Sequence, residues 1–267
     1  MMTLLLANNE RTENIYWHWI DKYLKWNGSV RDWDTLFSQR RVEQFVEYLK
    51  ECNYAPSTIN VAVAAIKKWG SGYGYAIQVT NKPPIKEKLP EILEEQEVKT
   101  LIQNIPDVRD RALFSLVFDT GLRISEALNL NLQDVDLDQN MVFIGRRKGK
   151  EIPSKIPFCE TTKRYIMEYL EARKAQGISS GDNDPLFIGR GRLTPSAAWR
   201  LLDKWSRAIL GKHVHPHQLR HAVAVVLRKK GVPLDVIRDF LGHRSDIVLR
   251  RYARLEPTEL KKLPDRF

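Results

Sequence analysis

The sequence predicts a mainly α-helical protein with a small antiparallel β-sheet, divided into two domains, and three observations predict it. Apolar residues recur at helical spacing through most of the 267 residues, as they do when one face of each helix is buried. A proline-rich stretch from Thr80 to Pro90 interrupts that pattern. Two short runs, Met141 to Ile144 and Glu151 to Phe158, read as strands on either side of a basic turn.

In chain order, the first helix carries its stripe on Tyr16, Trp19, Ile20, Tyr23 and Leu24, and the second on Val42, Phe45, Val46 and Leu49. The third starts at Pro56-Ser57, runs through Ile59, Val63, Ile66 and Trp69, and is ended by Gly70, Gly72 and Gly74. Trp17, Trp26 and Trp33 are expected in or near the core, since tryptophans in such a bundle are more often core than ligand platform. This makes residues 1–80 a small helical domain. Pro83, Pro84 and Pro90 among alternating charges can neither continue a helix nor join a central strand, so residues 81–91 are expected to be an extended linker.

Residues 92–267 form the second domain. Helices are expected from Glu94 to Asn104, Asp107 to Asp119 (ended by Gly121) and Arg123 to Leu130. The two strands follow, around Arg146-Arg147-Lys148-Gly149-Lys150. Helices at about 160–176, 195–210, 217–230 and 233–241 complete it, with Gly177, Gly211, Gly231 and Gly242 where helix C-terminal ends favour glycine.

Net charge is +10, and its placement says more than its total: +1 over residues 1–80, −5 over 81–139 and +14 over 140–267. A basic second half suits a polyanionic partner, although charge alone fits equally a surface kept basic for solubility. The apolar opening Met1 to Ala7 is too short to span a membrane and has no basic segment before it, so neither a membrane span nor a signal peptide is expected. Cys52 and Cys159 stand alone, without the spacing of a metal knuckle or a disulfide framework, and a reducing cytoplasm is the natural reading.

The residues that carry chemistry lie in the basic half and just before it. Breaking a phosphodiester without a metal requires neutralising its charge, holding the transition state with fixed donors, an in-line nucleophile and an acid for the leaving oxygen. Arginine suits the first two tasks, because its planar fork donates paired hydrogen bonds and stays charged. Arg123 follows Gly121 at a junction of helices, and Arg220 lies one turn after His217 on a single helical face. His217 and His221 have the spacing of a helical metal pair, but no glutamate adjoins them and no cysteine is near, so neither a metal nor any other cofactor is expected. Tyr252 is the only tyrosine in the final 98 residues. A lone tyrosine usually packs on a core with its hydroxyl wet; its company of arginines and histidines argues for a nucleophile.

These residues resemble those of the tyrosine recombinases and integrases, and in size and layout the Xer-like members. Thr120-Gly121-Leu122-Arg123, with Glu126 after it, is similar to the family's first arginine motif. Lys148 falls on the hairpin where the family holds a catalytic lysine. His217-Gln218-Leu219-Arg220-His221 is similar to its second box, and Leu241-Gly242-His243 with Tyr252 to its conclusion. The resemblance implies that Tyr252 attacks the scissile phosphate to form a 3′-phosphotyrosyl link. Arg123 and Arg220 would clamp the phosphate oxygens, His217 and His243 would assist proton transfer, and Lys148 would protonate the leaving 5′-oxygen. Lys150 is the second lysine of the hairpin and the alternative acid. Glu126 would orient an arginine or support the fold, and Arg146, Arg147 and Lys150 would contact DNA.

The resemblance also implies a two-domain, C-shaped clamp on double-stranded DNA. The protein would be a monomer or dimer off DNA and a homo-tetramer in the synaptic complex, exchanging strands through a Holliday junction for integration, excision or resolution. A second recombinase or an accessory protein is a further partner consistent with it, and a last helix near Pro257 to Leu263 would dock on a neighbour or fold back on its own domain. Two other functions keep the same fold: a catalytically silent DNA-binding accessory protein, and DNA relaxation of the type IB topoisomerase kind. The complete set of six motif residues favours the recombinase.

Overall fold

Trp19, Ile20 and Tyr23 turn the first helix, α1 (Glu10–Asn27), toward an aromatic core in which all three are buried. The computed structural model describes residues 10–30, 32–85, 92–145, 154–178 and 181–242. The chain divides into two compact units between Leu89 and Pro90.

In the first unit α1 is followed by α2 (Trp33–Leu36), α3 (Gln39–Glu51) and α4 (Pro56–Gly72). Asp32 and Ser38 cap α2 and α3 by accepting the backbone N–H groups of Thr35 and Arg41, and Pro56 occupies the first position of α4, where its missing N–H costs nothing. α3 buries Val42, Phe45, Val46 and Leu49. Phe45 meets Tyr23 edge-on at 4.9 Å and Trp26 at 5.3 Å. Burial pushes the Tyr23 phenol up to about 12, and its hydroxyl donates to the Leu36 carbonyl at 2.5 Å.

Trp17, expected in or near the core, and Leu24, expected on the buried stripe of α1, are both exposed. Two further features depart from the sequence expectation. α2 was not expected, because four residues are too few to show a period; Asp32 and the stacking of Trp33 on Phe37 hold it. α4 runs past Gly70 to Gly72. Gly70 is needed instead for close approach, since a Cβ there would stand 2.7 Å from Ile77 Cδ1, where the chain folds back over the helix. Beyond that return, Glu43 accepts from the Thr80 N–H (2.8 Å) and hydroxyl (2.7 Å), and Asn81 donates to Glu47 at 2.7 Å. The start of the proline-rich stretch is therefore fastened to α3.

The second unit is organised around α6 (Val108–Thr120), which follows α5 (Glu95–Gln103) and precedes the short α7 (Ile124–Leu128). Ala112, Leu113, Phe114, Leu116 and Val117 of α6 are all fully buried, so the helix is enclosed rather than one-sided. A 3-10 turn at Leu132–Asp134 leads into β1 (Val135–Asp136), β2 (Met141–Ile144) and β3 (Ser154–Pro157), an antiparallel sheet in that order with Val142 opposite both Val135 and Ile156. β1 has only two residues, below what alternation in a sequence can reveal.

Four helices complete the described unit: α8 (Glu160–Ala175), α9 (Pro195–Leu210), α10 (Pro216–Lys229) and α11 (Leu234–Leu241). α9 is tied to α6 by Trp205, whose indole N–H donates to buried Asp110 at 2.8 Å, and Arg109 pairs with the same carboxylate. Among the described residues no helix is long and apolar enough to cross a membrane.

Phe45→Ala is expected to destabilise the first unit by about 3–5 kcal/mol, the usual cost of emptying an aromatic site in a core. Urea denaturation followed by tryptophan fluorescence checks this, since Trp26 lies against the deleted ring.

Candidate active site

The sequence-predicted residues that the structure brings together are Arg123, Glu126, His217 and Arg220. Their meeting depends on how two helices end. α6 stops at Gly121, which takes the left-handed conformation at φ 59°, and the chain turns through buried Leu122 to Arg123 at the cap of α7. α11 stops in the same way at Gly242, φ 63°. A Cβ on Gly121 would collide with Leu241 Cδ2, so glycine is required there by both backbone and space.

Glu126 stands between the two arginines. One of its oxygens accepts from Arg123 Nη1 at 2.7 Å; the other accepts the Arg123 backbone N–H at 2.8 Å and lies 3.8 Å from Arg220 Nη1. Arg220 is buried, 1% exposed, and its two terminal nitrogens donate to the Gly121 and Leu241 carbonyls. Arg123 Nη2 donates to the Gly242 carbonyl at 3.4 Å, and 36% of its side chain faces solvent. The C-terminal carbonyls of α6 and α11 thus receive both guanidiniums. Those carbonyls lack helical partners and carry the negative end of the helix dipole, which suits a cation.

His217 is set by the first turn of α10, which Pro216 begins and which Gln218 fastens by accepting the His215 N–H at 2.9 Å. Its ring packs edge-on against His221, with centroids 4.3 Å apart. Desolvation first, then the positive fields of Arg220, His215 and Arg123, hold its pKa below the usual 6.5. His217 is therefore neutral near neutral pH and able to accept a proton beside two fixed cations. Two guanidiniums with a neutral imidazole can bind a phosphate and accept a proton from an attacking hydroxyl.

Lys148, His243, Tyr252, Arg146, Arg147 and Lys150 lie outside the described residues. Among the described residues no three His, Cys, Asp or Glu side chains converge to hold a metal. What the sequence analysis did not find is the role of the main chain. Gly121 and Gly242 were recognised as helix ends, but nothing in the sequence told that the carbonyls there take the arginines. The ring contact of His221 with His217 was signalled only by their spacing of four.

Comparisons with known proteins fit this geometry. Residues 91–259 match the model of the phage integrase family, and residues 7–69 that of the phage integrase N-terminal SAM-like domain. Tyrosine recombinase XerA of Pyrococcus furiosus is 30% identical over 272 residues, covering 98% of this chain and 90% of that protein. Tyrosine recombinase XerD of Corynebacterium glutamicum is 35% identical over 193 residues, covering 68% and 62%. A crystal structure of XerA recombinase superposes with a TM-score of 0.57 at 25% identity, over 98% of this chain and 95% of that one. The Tn1549 transposon integrase, solved with circular intermediate DNA, shares the fold with a TM-score of 0.75 at 17% identity, over 96% and 94%.

Two predictions follow from the geometry. Gly121→Ala should lose about 1–2 kcal/mol from the left-handed backbone alone, and more from the collision with Leu241. In a double-mutant cycle with Leu241→Ala, the pair should be less destabilised than the sum of the single variants. The second concerns pH. His215 and His217 both have folded pKa values below 6.5, His215 chiefly through desolvation. Unfolded histidines take up protons that the folded ones refuse, so stability is full above pH 6.5 and falls as pH drops below it. Thermal melts of His217→Gln across that range should show a shallower fall.

Proposed function

As this chain belongs to the phage integrase family and is a tyrosine-type site-specific recombinase, we propose that Arg123, Lys148, His217, Arg220, His243 and Tyr252 form its catalytic set acting on DNA. What supports the assignment is the convergence of Arg123 and Arg220 on Glu126 with neutral His217 beside them. That cluster has the charge and donors a phosphodiester needs as its transition state gathers negative charge.

The chemistry runs in balance. The Tyr252 oxygen attacks phosphorus and forms a 3′-phosphotyrosyl bond while the bond from phosphorus to the 5′-oxygen breaks. The phenol proton passes to a histidine, with His217 and His243 the candidates, and Lys148 gives a proton to the departing 5′-oxygen. Arg123 and Arg220 hold the non-bridging oxygens, and Glu126 positions both. One ester replaces another, so the reverse attack by a 5′-hydroxyl reseals DNA without ATP. Residues 1–80 act as the core-binding domain, 81–91 as the linker and 92–267 as the catalytic domain. Arg146, Arg147 and Lys150 steady the DNA backbone. Four protomers exchange strands in pairs through a Holliday junction, in the cytoplasm where the DNA lies.

Covalent trapping on denaturing gels, with DNA from the protein's own genomic neighbourhood and neither metal nor ATP, tests this. Wild type should give a DNA-linked band that Tyr252→Phe lacks, although that variant binds DNA nearly as well. Arg123→Ala should slow attachment by about 10²–10³, the cost of losing one transition-state donor. Lys148→Ala should be slow on ordinary DNA and recover on a substrate with sulfur at the 5′-bridging position, because a thiolate leaves without an acid. Recovery of Lys150→Ala instead would assign that role to Lys150.

A further inference from the structure

Around the start of α10, His213-Val214-His215-Pro216-His217 alternate between buried and solvent-facing side chains, the first three residues in extended chain and the last two in the first turn of the helix. Val214 and Pro216 turn into the core, while His213, His215 and His217 keep a solvent edge. The three imidazoles form a row from the surface to the arginine pair. Trp199 of α9, 44% exposed, packs at a tilt against His213 with centroids 5.3 Å apart, and the His213 ring lies 6.1 Å from that of His215. His215, Arg220 and Arg123 in turn all act on His217.

The charged groups around this row leave it receptive to anions. Asp203 of α9 pairs with His213 Nδ1 and also accepts from Arg207 Nε at 2.8 Å, so its carboxylate is already spent on two partners. Lys212 is bound to Glu97 of α5 at 2.7 Å. Glu126 lies between the arginines, and Arg200 and Arg207 share the exposed face of α9 with Trp199.

Resting on the reading that the arginine pair takes the scissile phosphate, we infer that His213, His215 and His217 form a track for neighbouring phosphates of the same strand. DNA enters this track with uptake of protons. In the free protein desolvation and nearby positive charge keep His215 and His217 neutral. A phosphate brought beside the neutral His215 imidazole favours its protonated form, and the bond that results is charge-assisted, whereas His217 beside the arginine pair stays neutral as the proton acceptor. The Trp199 indole offers the backbone sugars an apolar wall at the outer end of the row.

The experiment uses the full chain carrying Tyr252→Phe, which cannot cleave, and a short duplex of arbitrary sequence, because phosphate contacts do not depend on sequence. Fluorescence anisotropy at fixed salt gives Kd between about pH 5.5 and pH 8, the range in which histidines change charge. Binding should tighten as pH falls, by up to about tenfold per pH unit for each proton taken up. Adding His213→Gln and His215→Asn should flatten the slope, with the curves converging near pH 8. Thermal melts at each pH show whether the variants stay folded, and asparagine keeps an N-cap residue at the start of α10. Calorimetry in two buffers of different ionisation enthalpy should show fewer protons taken up by the double variant. An unchanged slope and proton count would sink the track while leaving the recombinase reading intact. Absence of salt-sensitive DNA binding at every pH would instead bring down that reading and the track with it.

Discussion

Two guanidiniums repel each other, and inside a protein that repulsion is poorly screened. Holding Arg220 fully buried with Arg123 on the same Glu126 carboxylate is the constraint from which much of the second unit follows. Among the described residues Glu126 supplies the full negative charge between them, and the Gly121, Leu241 and Gly242 carbonyls add partial charges. Four helices must meet at one point to do this. The end of α6 and the end of α11 bring carbonyls, the start of α7 brings Arg123 and Glu126, and α10 brings Arg220. Glycine at 121 and 242 is a condition of that meeting, because a left-handed turn points the last carbonyls inward and, at 121, leaves room for Leu241.

Such a junction works only if the helix ends stay where they are. α6 is the fixed part: its sides are buried, and it is tied along its length. Asp107 caps its first turn, Asp110 receives Trp205 of α9, and Asp119 in its last turn accepts the Cys159 N–H and the Thr162 hydroxyl of α8, each at 2.7 Å. Asp119 lies two residues before Gly121, so the start of α8 braces the end of α6 close to where the arginine carbonyl is presented. The burial that raises the Asp110 carboxyl is tolerated because Trp205 and Arg109 both bond to it.

Most of the helices were legible in the sequence because burial imposes a period and the ends are marked by proline, serine, aspartate or glycine. α9 is a clear case, with Pro195 at its start and Gly211 after its last residue. The elements that escaped are those too short to show a period, α2 and β1, which are held by a cap and by pairing with β2. At the site the charged residues were legible by type and order. Arg220 was legible as a cation beside His217, but its burial and the turning of its fork to carbonyls were not. Main-chain partners leave almost no trace in side-chain identity, and Gly121 hinted only at a helix end.

The choice of carbonyls over carboxylates has a consequence for function. Had each arginine been paired with its own aspartate or glutamate, the cluster would be neutral and a phosphate would have to displace a full charge. With Glu126 shared, two positive charges face one negative, and the surplus is offset by dipoles that hold position without cancelling the net charge. The cluster is thereby held in place and still positive, with both forks anchored to fixed main-chain acceptors. The neutrality of His217 belongs to the same arrangement: desolvation first, and then the positive field of the arginines, hold its pKa below the usual value. Because Leu241 and Gly242 accept from Arg220 and Arg123, a displacement of α11 would disturb the seating of both arginines. The two arginines are thus joined to the rest of the unit through helix ends rather than through carboxylates of their own.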